Sequence, residues 1–134
     1  MDDWAELVAR ARAVRMHAYA PYSGYAVGAA VRADDGSIHV GCNVENAAYP
    51  EGLCAEAAAI AAMVAAGRTR LIAAAVAGGD AGTPAAPCGG CRQKLMEFAA
   101  PGAEVAIADG GDGPVRRLRL DALLPEAFGG GGGE

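Results

Sequence analysis

Aromatic side chains are scarce in this 134-residue chain, only 5% of it, and that shortage sets a first limit. A core built without large rings must be filled by small residues. Hydrophobic residues make up 53%, much of it alanine. Small side chains let helices and strands approach closely, yet each removes little area from water. Such a subunit gains stability by burying further surface against copies of itself, which points toward an oligomer. Positive charge is short as well. Eleven Lys and Arg stand against sixteen Asp and Glu, for a net charge of −5 and a pI near 5.0. That balance argues against a surface that tracks the phosphates of a nucleic-acid polymer. The one basic cluster, Arg116, Arg117 and Arg119, falls in an alternating stretch and reads as a solvated strand face. A single nucleoside is not excluded.

Membrane and secretory signals are missing too. The N-terminal stretch opens on Asp2 and Asp3 and carries no apolar core segment. The longest apolar run, 57–66, is far shorter than the roughly 18 residues of a membrane helix. The expectation is a soluble, cytoplasmic protein with no membrane partner. In that reducing compartment its four cysteines favour metal or redox chemistry over disulfides. The length fits one domain with its own core.

The pattern along the chain predicts the order αββαβαββα. Asp3 to Tyr19 reads as a helix capped by Asp3, with Trp4, Leu7, Val8, Ala11 and Val14 as its apolar stripe. Pro21-Tyr22-Ser23-Gly24 breaks it. Residues 26–33 and 38–43 read as a hairpin around Asp34-Asp35-Gly36-Ser37, followed by an irregular loop from Asn43 to Gly52. Leu53 to Ala66 reads as a helix apolar on nearly every side, hence buried, and ended by Gly67. The continuous apolar run Leu71 to Ala77 suits a central strand covered on both faces. A Gly/Pro loop then leads to a helix from about Cys88 to Ala99, closed by Pro101-Gly102. Residues 104–108 and 114–120 read as the last two strands, and a short helix as including Leu123, Leu124 and Phe128. Gly129 to Gly133 reads as a flexible tail. This order predicts an α/β domain over residues 1–128 with helices on a mixed five-stranded sheet, and a Gly-rich tail over 129–134.

Chemistry is concentrated in two fragments, Cys54-Ala55-Glu56 and Pro87-Cys88-Gly89-Gly90-Cys91. Cys88 and Cys91, three apart, share one face of a helix's first turn, where two thiolates can converge on one ion. Orphan N–H groups and the helix dipole favour the anionic form of both. A redox Cys-x-x-Cys is the plainer reading of that pair alone, and Cys54 weighs against it. Three protein ligands leave the fourth tetrahedral position of Zn²⁺ open, as in a catalytic site. In mid-helix Cys54 and Glu56 would point about 200° apart, so they converge only if Cys54 stands at the extreme start. Glu56 heading an apolar helix is costly unless it is used or paired; the plainer role for it is to stabilise the helix dipole. Cys42 reads as a small buried strand residue, or as a fourth ligand that would close the site. His17 and His39 have no arrangement for a metal.

These fragments resemble the zinc signature of the small cytidine deaminases, extended here through Arg92-Gln93. The handful of further segments that match run through nearly the whole chain in order: Pro21 to Ala30, Gly41 to Pro50, and Leu123-Leu124-Pro125 before Phe128. The resemblance implies a three-layer α-β-α cytidine deaminase-like domain. It implies one Zn²⁺ per chain on Cys54, Cys88 and Cys91, whose bound water becomes hydroxide and attacks C4 of cytosine. Glu56 would take the water's proton, deliver one to N3 and assist the departing amine. Cytidine and deoxycytidine would become uridine and deoxyuridine with release of ammonia, in pyrimidine salvage, with no organic cofactor. Asn43 and Glu45 match the pair that hydrogen-bonds the sugar; Tyr25, where phenylalanine is usual, and Ala55 match positions around the substrate. Ala47, Tyr49 and Phe128 match positions that reach a neighbouring subunit's site, implying a homotetramer with shared active sites. One departure stands out: arginine commonly follows the catalytic glutamate, and here the residue is Ala57. Backbone N–H groups, with Arg92, are then expected to offset the thiolate charge. Two other readings remain, a deaminase of a cytosine nucleoside antibiotic such as blasticidin S, and an interaction module built on structural zinc.

Overall fold

Side-chain size alternates along the central strands, and that alternation decides what lies on each face of the sheet. The computed structural model describes residues 3–130. Five strands, β1 (Val27–Ala33), β2 (Ile38–Cys42), β3 (Leu71–Gly78), β4 (Ala99–Ala108) and β5 (Arg116–Arg119), form one sheet in the order β2-β1-β3-β4-β5. Only β3 and β4 run parallel; the other neighbours are antiparallel. The helices are α1 (Asp3–Arg15), α2 (Ala55–Ala65), α3 (Gly89–Phe98) and α4 (Leu120–Leu123), with short 3₁₀ turns at Tyr49–Glu51 and Phe128–Gly130. The order of elements is the one read from the sequence, and the sheet is mixed and five-stranded as expected.

The buried strand residues on one face of the sheet are all alanine: Ala30, Ala73, Ala75, Ala77, Ala106 and Ala108 pack with Leu7, Val8 and Ala11 of α1, with Ile38 and Val40 of β2 at the margin. The helix therefore lies very close. At Gly28 an added Cβ would fall 2.1 Å from the Ala11 carbonyl oxygen. The other face carries Val31, Leu71, Val76, Val105 and Ile107, which meet Ile60 and Met63 of α2, Leu95 and Met96 of α3, and Leu120 of α4. The three layers are thus α1, the sheet, and α2–α4. As expected for a central strand, β3 contributes to both cores.

Several boundaries differ from the sequence reading, each for a nonlocal reason. Helix α1 stops at Arg15 rather than Tyr19, because Tyr19 leaves to pair with Val44, its N–H donating to the Asn43 carbonyl at 2.9 Å. Asp3 is already helical, so it is not the cap. Helix α2 begins one residue after Cys54 and ends as expected at Gly67, whose φ of +87° lets Arg68 N–H reach the Met63 carbonyl. It is not buried all round: Ala61, Val64 and Ala65 are exposed. Pro101-Gly102 does not close α3. The chain passes straight from Phe98 into β4, and Pro101-Gly102 sits in a bulge where β3 advances from Leu71 to Ala73 while β4 advances from Ala99 to Glu104. Leu124 and Phe128 lie outside α4. Gly129 and Gly130 of the expected tail belong to the last 3₁₀ turn; residues 131–134 lie outside the described residues. Among the described residues no helix is long and apolar enough to cross a membrane.

Candidate active site

Two helix N-termini bring the sulfurs together. Cys54 is the N-cap of α2 and Cys88 the N-cap of α3, both with extended backbone (φ −77°, ψ 153° and φ −68°, ψ 169°). That conformation turns each side chain away from the helical spiral, which is what convergence of Cys54 with Glu56 requires. Cys91, in the first turn of α3, is buried at 1% exposure. The Sγ atoms of Cys54, Cys88 and Cys91 all lie within 4.8 Å of one another, a spread that three thiolates each about 2.3 Å from one ion can fit. Cys42 lies on β2, half-buried and outside this group.

Electrostatics agree with a cation at the centre. Gly90 and Cys91 N–H groups at the open end of α3 favour the Cys88 anion; the Cys91 N–H is the largest influence holding that thiol below its ordinary 9.0. Cys91 is pushed strongly the other way, first by burial and then by the negative charge of Glu56, Cys54 and Cys88. Four groups that repel one another when ionised need a positive partner to share. Arg92 does not supply it at the sulfurs: its Nε donates to the Pro87 carbonyl at 2.8 Å and its Nη1 to the Leu123 carbonyl at 3.1 Å. Of the two expected sources of compensation, the backbone N–H groups are in place and the Arg92 side chain is engaged elsewhere. Ala57 is half-buried.

A cavity of about 220 Å³ opens in front of the three sulfurs, lined by Glu56, Tyr25, Val27, Asn43, Ala55, Val76, Ala85 and Ala86. Glu56 is only 5% exposed. Burial is the main cause raising its pKa above 4.5, with its own N–H, the Cys91 thiol and Lys94 pulling the other way. Asn43 Oδ1 accepts from Val27 N–H at 2.8 Å and its Nδ2 donates to the Tyr25 carbonyl at 2.9 Å. This amide therefore props the wall that carries Tyr25.

Other candidates lie elsewhere in the single chain. Glu45 and Tyr49 line an adjacent groove of about 330 Å³ with Tyr22, Ser23, Asn46 and Gly52. Glu45 accepts from Tyr22 N–H, Ser23 N–H and the Ser23 hydroxyl; the Ser23 hydroxyl is the largest influence lowering its pKa. Ala47 is exposed in the same loop. Phe128 is 88% exposed, and its carbonyl accepts from Gln93 Nε2 at 3.3 Å. So Asn43, Tyr25 and Ala55 join the sulfurs, whereas Glu45, Tyr49, Ala47 and Phe128 do not. The sequence reading missed Val27, Val76, Ala85 and Ala86. Val76 was findable, since it nears the carboxyl end of a strand that pairs in parallel, where α/β sheets form their crevices. The alanines carried no signal.

Residues 1–107 match the family model described as the cytidine and deoxycytidylate deaminase zinc-binding region. This chain belongs to that family. Cytidine deaminase from Mycobacterium tuberculosis is 47% identical over 127 residues, 95% of this chain and 90% of that protein. The Sporosarcina psychrophila cytidine deaminase is 40% identical over 126 residues, 94% and 91% of the two chains. Among solved structures, cytidine deaminase from Burkholderia pseudomallei superposes with a TM-score of 0.86 at 44% identity, covering 96% of this chain and all of that one. In this cytidine deaminase family member the matched region contains all three thiols and Glu56.

Proposed function

We propose that this cytidine deaminase family enzyme hydrolyses cytidine and deoxycytidine to uridine and deoxyuridine, releasing ammonia, as a cytoplasmic step of pyrimidine salvage. The observation that carries this reading is Glu56, a buried carboxylate in the same cavity wall as three convergent thiols. Cys54, Cys88 and Cys91 would hold one zinc per chain. When bound, zinc supplies the Lewis acidity that makes water a nucleophile near neutral pH.

The chain's own residues supply the rest. Burial moves Glu56 toward the pH at which it can both accept and return a proton. It takes one proton from the attacking water and passes it to N3 of the ring, then takes the second from the new C4 hydroxyl and delivers it to the amine, which leaves as ammonia. Tyr25, Val27, Ala85 and Ala86, with the buried Ala55, line the cavity that would take the flat ring. Asn43 uses one lone pair and one N–H internally, which leaves one of each for a sugar hydroxyl. Glu45, held ionised by Ser23 and by two backbone N–H groups, offers an acceptor at the next groove.

Four tyrosines and Phe128 are all exposed, Phe128 most of all. Rings left in water mark surface that another chain covers. In a homotetramer Phe128, Ala47 and Tyr49 would close over a neighbour's cavity.

Incubation of the zinc-loaded protein with cytidine, deoxycytidine, cytosine and adenosine, followed by ammonia release, tests the function. Turnover of both cytosine nucleosides is expected; turnover of neither contradicts it.

A further inference from the structure

Two separate segments contribute walls to the cavity: 25–27, with Tyr25 and Val27, and 85–88, with Ala85, Ala86 and Cys88. Both leave the same end of the sheet, since Val27 pairs with Gly78 in register. They are tied from behind, by α1 on the opposite face of the sheet.

Arg15, the last residue of α1, makes the link. Its Nε donates to the Ala26 carbonyl at 3.1 Å, and its Nη2 donates to the Gly79 carbonyl at 3.2 Å. One planar guanidinium therefore spans the root of the tyrosine wall and the root of the alanine wall. One helical turn earlier, Arg12 secures the same loop at a second point. Its Nη2 bonds Asp109 Oδ1 at 2.9 Å and the Gly113 carbonyl at 3.1 Å. Asp109, 2% exposed, in turn accepts from Gly82 N–H at 2.6 Å and Gly113 N–H at 3.2 Å. The loop after β3 is thus held at Gly79 and at Gly82 before it reaches Ala85.

Packing at this point has no slack. A Cβ on Gly110 would lie 2.0 Å from the Gly79 carbonyl oxygen and 2.8 Å from Arg15 Nη2. Gly79 itself is left-handed at φ +77°, and a Cβ there would sit 2.7 Å from the Thr83 carbonyl and 3.2 Å from the Tyr25 hydroxyl. The Tyr25 ring and the loop after β3 are consequently in register, and Arg15 fixes that register.

We propose that Arg15 is a specificity-determining positioning residue: it sets the separation of the two cavity walls, and so the bulk of the ring the cavity accepts, with Arg12 and Asp109 holding the second anchor. This rests on the cavity being the cytosine site. Lysine cannot replace it fully, because a single ammonium does not present the rigid fork that reaches two carbonyls.

The test uses zinc-loaded wild type, Arg15→Met and Arg15→Lys, with kcat and KM measured for cytidine and 5-methylcytidine. Loss of the strut relaxes the walls, so Arg15→Met raises the kcat/KM ratio of 5-methylcytidine to cytidine by about tenfold, the scale of one methyl group in a pocket. KM for cytidine rises more than kcat falls, zinc content is unchanged, and Arg15→Lys lies between. The ratio is independent of how much enzyme is folded, so a merely structural role leaves it unmoved. A ratio within about twofold of wild type in Arg15→Met overturns the proposal. Should that variant not fold, the same ratio in Arg15→Lys and Asp109→Asn decides it. Wild-type turnover of cytidine in the same assay reports separately on the function; its absence would overturn both.

Discussion

Glu56 and Asp109 are both buried carboxylates, 5% and 2% exposed, yet their surroundings push them in opposite directions. Asp109 stands at the end of β4 with an arginine and two backbone N–H groups on its oxygens, the Gly82 N–H being the largest influence holding its pKa below 3.8. Glu56 stands in the first turn of α2 facing a cavity and three sulfurs, and burial raises its pKa. An acid whose lone pairs are taken up by its own chain is a fastener. An acid desolvated beside an opening, where burial outweighs the groups that would hold it ionised, is available to a ligand. The difference separates architecture from chemistry within one small domain, and the two meet in the loop that leaves Gly82 and arrives at Cys88.

The contrast can be broken from either side. On the cavity side, Cys91→Ala should weaken zinc binding by more than about 100-fold, beyond what loss of an outer-shell partner costs, as read by metal content after dialysis. Cys42→Ala should leave zinc bound. On the fastener side, Gly110→Ala drives a methyl against the Gly79 carbonyl; a loss of about 2–3 kcal/mol in urea denaturation is expected for such overpacking. Asp109→Asn should lower kcat/KM for cytidine about tenfold through misplacement of the loop while zinc stays bound. Its stability effect depends on pH with a fixed sign. Because the folded pKa is depressed, the contribution of Asp109 is complete above the ordinary value of 3.8 and is lost as pH falls below it. The gap in denaturation midpoint between wild type and Asp109→Asn should be full at neutral pH and shrink below about pH 4.

Sequence patterning carried the element order because the local signals agree with the tertiary result. Gly67 ends α2 by its positive φ, and the run at 71–77 packs on both faces. The sulfur cluster was legible for a similar reason: Cys88 and Cys91 are neighbours on one turn, and Cys54 opens its own helix. What was hidden depends on contacts remote in sequence. Tyr19 leaves α1 for Val44, and Arg12 meets Asp109 from 97 positions away. Asp109 falls between the strands read over 104–108 and 114–120, before Gly110-Gly111, and nothing local shows that its carboxylate is buried. Asn43 and Glu45, matched as one sugar-binding pair, line two different hollows, with Val44 between them paired to Tyr19 and Leu53.

The most direct test of the distinction is the rate of ammonia release from cytidine by zinc-loaded Glu56→Gln. Turnover should fall by about 10²–10⁴-fold, the range for loss of a positioned acid–base group, with zinc content and far-UV circular dichroism as in wild type. Turnover at the wild-type rate would contradict it, because Glu56 would then be no more than a second fastener.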